Sequence, residues 1–136
     1  MDRMQTSGID GQAKSGVDSE KSFECPAIDH QVVSALVQDL SPDTYRSLLD
    51  TFSSDFIEVQ TKLIAAMTAA DVEELRRQLH AIRSISLPMG AVELPCLVRT
   101  IETHEDDEVL QATVRSLQEI ARGFRRFQTA ASALLR

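Results

Sequence analysis

The sequence has no tryptophan, one tyrosine and five phenylalanines. Any core must therefore rest mainly on Leu, Ile, Val and Ala. Glycine is also scarce, at five residues, and this pairing of shortages speaks against a β-sandwich or barrel and for helices. No apolar stretch approaches the roughly 20 residues of a membrane span, and no N-terminal apolar run has the form of a signal peptide. Cys25 and Cys96 stand far apart without metal-type spacing, so two reduced thiols are expected. Positive charge is in deficit: 14 Lys and Arg face 21 Asp and Glu, for a net charge of -7. Phosphate neutralisation needs a basic surface, so a general nucleic-acid binder is not expected. The scattered glycines form no phosphate-cradling run, which leaves the chain without visible means to bind ATP or phosphorylate itself. An acidic, soluble, cytoplasmic protein with at most a local basic patch is expected.

What the chain does have is helical punctuation. Its 136 residues, 43% of them hydrophobic, suit one domain with one modest core. Residues 1–26 are rich in Ser, Gly, Asp, Lys and Gln without apolar periodicity, and are expected to be a disordered tail or linker. The folded domain is expected over 27–136. Asp29 suits a cap, and Val32, Val33, Leu36, Val37 and Leu40 follow at helical spacing in a short first helix ending by Leu40. Ser41 and Pro42 then form a cap and a first helical position, where the missing N–H of proline costs nothing. Tyr45, Leu48, Leu49, Phe52, Phe56, Val59, Leu63 and Met67 predict a long helix from Pro42 to about Thr68.

Asp71 and Glu74 have the form of a capping box, and Val72, Leu75, Leu79, Ile82 and Ser86 make the inward stripe of the next helix. Pro88 should end that helix near Leu87, with Gly90 helping the chain reverse. Val92, Leu94, Leu97, Val98 and Ile101 predict a shorter helix to near Thr103, with Pro95 in its first turn. Thr103 is the expected cap of a last helix, with Glu105, Asp106, Asp107 and Glu108 in its first turn and Arg122, Arg125 and Arg126 toward its other end, as the helix dipole favours. Leu110, Val114, Leu117, Ala121, Phe124, Ala131 and Leu135 mark its expected buried face. Short connections between long amphipathic helices make neighbours antiparallel. The predicted fold is all-α: an antiparallel up-down-up-down four-helix bundle with a short additional N-terminal helix.

One residue on this scaffold stands out. A helix turns by about 100° per residue, so His80 lies about 100° round from the core position Leu79, on the flank of its helix. Its neighbours at three and four residues are Arg76, Arg77, Arg83 and Ser84. The plain reading is an ordinary solvated basic face. A metal site is disfavoured, because no His, Cys or carboxylate sits four residues away and the cations repel a metal. A phosphoryl acceptor uses every residue on the face: neutral imidazole is a good nucleophile, and the arginines would compensate the charge of the phosphorylated ring. His30, near a helix start, and His104, in a turn, lack such surroundings.

The run His80, Ile82, Arg83, Ser84, Ser86, Gly90, Ala91 resembles the signature of the histidine-containing phosphotransfer (HPt) domains of multistep phosphorelays. Those domains have a His, a hydrophobe two residues on, Lys at three, Gly at four, often Ser at six, and Gly-Ala at ten and eleven. The resemblance extends from about Ile28 to the C-terminus and includes helix order and lengths. It departs at Arg83, where the family has Lys, at Ser84, where the family has Gly, and at Pro88. The resemblance implies a phosphorelay intermediate. A response-regulator receiver domain, possibly part of a hybrid histidine kinase, would dock over His80 and bring its own Mg²⁺. His80 would accept a phosphoryl group from the receiver's aspartate and hand it to a second receiver. Arg76, Arg77, Arg83 and Ser84 would contact the phosphoryl group or the partner, Leu87 would add an apolar contact, and outward residues of the preceding long helix would widen the patch. The chain itself would bind no cofactor and no metal, and would act as a monomer. On this reading Arg83→Ala should slow transfer and hardly move the thermal midpoint.

Ser84 has two readings: its hydroxyl would hydrogen-bond the phosphoryl oxygens, or its side chain would narrow the approach to His80, and the second keeps open a non-catalytic module that binds or sequesters a receiver or kinase. A helical oligomerisation domain would need a long apolar stripe on a second helix face, which the sequence lacks.

Overall fold

Asp29, Ser41 and Asp71 divide the first part of the chain as the sequence predicts, and the computed structural model describes residues 25–135. The expected tail, residues 1–26, lies outside that range apart from Cys25 and Pro26. Five α-helices pack together: α1 (His30–Leu40), α2 (Pro42–Ala69), α3 (Val72–Ser86), α4 (Glu93–Glu102) and α5 (Asp106–Ala133), with a 3₁₀ turn, Leu87–Met89, after α3. Asp29 starts α1 by accepting from the N–H groups of Gln31 (3.0 Å) and Val32 (3.2 Å). Ser41 serves two helices at once. Its N–H donates to the Val37 carbonyl at the end of α1, and its Oγ accepts from the Thr44 N–H at the start of α2. It does so at φ 88°, a conformation that L-residues rarely adopt. Asp71 caps α3 by accepting from the Glu74 N–H at 3.1 Å. Gly90, at φ 89°, ends the 3₁₀ turn and reverses the chain.

α3 packs against α2 and α4, while α5 closes against α4 and α2. The centre is aromatic despite the shortage of aromatics. Phe56 stacks on Phe124 at 4.0 Å, and Phe52 meets Phe124 and Phe127 at 5.4 and 5.3 Å. Leu63, Leu75, Leu79, Ile82, Leu94, Val98 and Ile120 fill the space around these rings with no exposed surface. The α3 stripe is as predicted from Leu75 to Ser86, and Ser86 satisfies its hydroxyl by donating to the Ile82 carbonyl at 2.6 Å.

Several expectations are corrected. Cys25 and Cys96 are joined in a disulfide, which ties the segment before α1 to α4. An antiparallel bridge between Ile28 and Ala91 and a bond from the Val92 N–H to the Ala27 carbonyl (3.2 Å) hold that segment on the turn after α3. Thr103 ends α4, donating its hydroxyl back to Thr100. Glu105 occupies the N-cap of α5 without a side-chain capping bond. The last turn of α5 carries no basic residue, because the helix runs beyond Arg126 to Ala133. Of its predicted face, Phe124 and Ala131 are buried and Leu110, Leu117 and Leu135 pack partly buried against the core, but Val114 is 55% exposed; Val109, Ala112, Thr113, Ile120, Gly123 and Phe127 are buried instead. The reason is the Phe52–Phe56–Phe124–Phe127 cluster, which turns α5 so that Phe127 and Ile120 face inward. Leu48 on α2 and Val32 and Leu40 on α1 are exposed, as are Ile57 and Ile64, two turns apart on α2.

Tyr45 ties α2 to the exit from α3. Its side chain is fully buried, its hydroxyl donates to the Met89 carbonyl at 3.2 Å, and burial pushes its pKa up to about 12. The folded state therefore holds the phenolic proton more tightly than the unfolded chain, whose phenol titrates near 10. This contribution is whole below pH 10 and should be lost as pH rises from about 10 to 12, at about 2–3 kcal/mol. Urea unfolding at stepped pH should show that decline, and Tyr45→Phe should abolish this component of it.

Candidate functional site

α3 positions the site because its apolar stripe is committed to the core. With Leu75, Leu79 and Ile82 fully buried, His80 is left exposed on the flank. Arg83, one turn on, brings its Nη2 to 3.2 Å from His80 Nδ1. A guanidinium carries only donors, so this contact makes Nδ1 the acceptor. Behind it, Arg83 Nε lies 2.9 Å from Glu102 Oε1 at the end of α4. Both of these atoms are buried, and neither has an aligned hydrogen-bond partner, so charge holds the pair together. The two side chains are only 28% and 19% exposed, which places the pair between surface and interior.

The other predicted residues separate into groups. Arg76 faces the α4–α5 turn: its Nε meets Asp106 at 2.8 Å, and its two other nitrogens donate to the carbonyls of Glu102 (3.1 Å) and His104 (2.6 Å). It fastens α3 to that turn. Arg77 pairs along its own helix with Glu73 (3.7 Å) and with Glu74. Ser84 and Leu87 are exposed, Leu87 by 53%, on the helix turns that follow His80. The face around the imidazole therefore consists of His80, Arg83, Ser84 and Leu87, with Arg77 ion-paired beside them.

Glu102 is the residue that sequence reasoning missed. Nothing local marks it: it stands 19 positions from Arg83 in another helix, and only the packing of α4 on α3 brings the two together. It also changes the expectation for Arg83→Ala. Removing the guanidinium leaves a mostly buried carboxylate without its cation, so the variant should lose about 1–2 kcal/mol in urea unfolding. An Arg83→Ala, Glu102→Gln double variant should recover part of that loss.

Away from α3, Arg126 binds Glu93 of α4 with its Nε at 2.9 Å, and this pairing raises the arginine pKa. His104 Nδ1 lies 3.1 Å from the Ile101 carbonyl, an oxygen that can only accept, so that ring nitrogen carries a proton. Among the described residues, no group of three or more His, Cys, Asp or Glu side chains is placed to hold a metal ion, and no helix is long and apolar enough to cross a membrane.

Over the described residues, fold and site together define an all-helical domain with an exposed imidazole set against an ion-paired arginine. Comparison with protein-family models, with curated proteins and with solved structures finds no match.

Proposed function

We propose that this protein is a phosphorelay intermediate of the HPt kind, in which His80 accepts a phosphoryl group from a receiver-domain aspartate and passes it to another receiver. The observation that carries the reading is the exposed imidazole with the Arg83 guanidinium 3.2 Å away, on a helix whose opposite face is locked into the core. The helix order supports it too, and we read α2 to α5 as an antiparallel up-down-up-down bundle with α1 as the short leading helix.

In the step proposed, a ring nitrogen of neutral His80 attacks phosphorus, the bond from phosphorus to the aspartyl oxygen breaks, and the carboxylate leaves. The proton on the other ring nitrogen passes to solvent, and the product is a neutral-ring phosphoramidate. We assign the attack to Nε2, the nitrogen remote from Arg83. The chain's part is to position the nucleophile and to set a guanidinium beside the incoming charge. Ser84 and Leu87 would meet the partner, and Arg77 would extend the basic rim. The receiver would supply Mg²⁺ to stabilise charge on the transferred group. We read the chain as a monomer and a carrier without kinase activity of its own.

Incubation with a panel of phosphorylated receivers, followed by mapping of the modified residue, tests the proposal. Wild-type chain should gain acid-labile phosphate on His80. His80→Gln should fold normally and gain none. Phosphate persisting on that variant would sink the assignment, and binding of a receiver without any labelled product would favour sequestration.

A further inference from the structure

We infer that Glu102 is a positioning residue: acting through Arg83, it fixes which ring nitrogen of His80 bears the lone pair. Three observations carry this. Glu102 Oε1 is 2.9 Å from Arg83 Nε, and Arg83 Nη2 is 3.2 Å from His80 Nδ1. The first contact is mostly buried while the imidazole is exposed, so the restraint runs outward from a largely buried carboxylate to an exposed ring. A guanidinium offers donors in a planar fork, so it can face the carboxylate with one nitrogen and the imidazole with another. A lysine ammonium is a single point and could not span both in this way. Arginine at position 83 is thus the side chain that this geometry requires.

The chemical consequence follows from the ring. With Nδ1 held as an acceptor, neutral His80 carries its proton on Nε2. Attack through Nε2 needs the opposite arrangement, a lone pair on Nε2 and the proton on Nδ1. Once Nε2 carries a phosphoryl group and Nδ1 has released its proton to solvent, however, the neutral ring has its free lone pair on Nδ1, where Arg83 already donates. The Glu102–Arg83 pair therefore complements the loaded ring and not the attacking one. A docked partner must loosen the Arg83 contact for loading, and the contact re-forms afterwards. This consequence rests on the proposed role of His80, whereas the placement of the proton does not.

Nitrogen NMR of the full, unphosphorylated chain separates the two, because it needs no phosphoryl transfer. The spectra are recorded at about pH 9, above the ordinary imidazole range. The chain supplies its own references: His104, with Nδ1 protonated, and His30, exposed in the first turn of α1. His80 should show a proton on Nε2 and none on Nδ1, the reverse of His104. In Glu102→Gln the separation between its two ring-nitrogen shifts should shrink toward that of His30. Arg83→Lys should do the same with charge retained, and amide spectra report whether each variant is folded. The inference is overturned if wild-type His80 matches His30, or if both folded variants leave the His80 shifts unmoved.

Discussion

Opening the Cys25–Cys96 bond should lower the stability of the folded chain by about 4 kcal/mol. The bond spans a sequence separation of 71, and closing a loop of that size removes conformational freedom from the unfolded ensemble on this scale. The native contacts around it are modest: the Ile28–Ala91 bridge, and the backbone bonds from Asp29 to Gly90 (2.8 Å) and from Val92 to Ala27 (3.2 Å). The effect should therefore lie mainly in the unfolded state, with helix content unchanged after reduction. For a domain of this size the thermal midpoint should fall by on the order of 20 °C. Melting curves with and without reductant, beside a Cys25→Ser, Cys96→Ser double variant, measure it. Coincident curves for all three would show that the bond constrains nothing.

Gly90→Ala should cost about 2–4 kcal/mol, the largest loss expected from a single methyl group in this chain. Two terms combine. At φ 89° any L side chain is strained. In addition, a β-carbon there would meet Val33 Cγ2 at 2.7 Å and Val32 Cγ1 at 3.3 Å, and Val33 is fully buried and β-branched, with little room to yield. Gly90 also accepts from the Asp29 N–H, so a shift at the turn disturbs the start of α1. Urea unfolding should show the loss. If Ala were tolerated within about 0.5 kcal/mol, the turn would be able to move α1 aside freely.

Gly90 shows which parts of this protein can be read from sequence. As the glycine ten residues after His80 it supported a family resemblance, and the close approach of α1 now gives it a local physical reason. Helix boundaries were legible for similar reasons. Asp29, Ser41, Asp71 and Pro88 act within a few residues of themselves, through bonds that spacing reveals. The exposure of His80 was legible because the α3 stripe is unambiguous. What was hidden depends on partners remote in sequence. The rotation of α5 is set by rings on α2, the cysteines meet across 71 positions, and Glu102 reaches Arg83 from another helix. Arg76 makes the same point: its spacing from His80 is correct for a shared face, yet Asp106 and two carbonyls of the α4–α5 turn take its donors.

The turn at residues 87–92 has a kinetic consequence. Helices joined by short connections meet early, because little chain entropy is lost in bringing them together. The bonds that converge on this turn, from Ala27, Asp29 and Tyr45, all bridge distant parts of the chain. They belong to the last stage of assembly and, by the same token, to the easiest stage of local opening. Opening there would part α1 from the turn while the Cys25–Cys96 bond still holds the segment before it on α4. Such a fluctuation would reach the end of the helix that carries His80 before it reached the rest of the core.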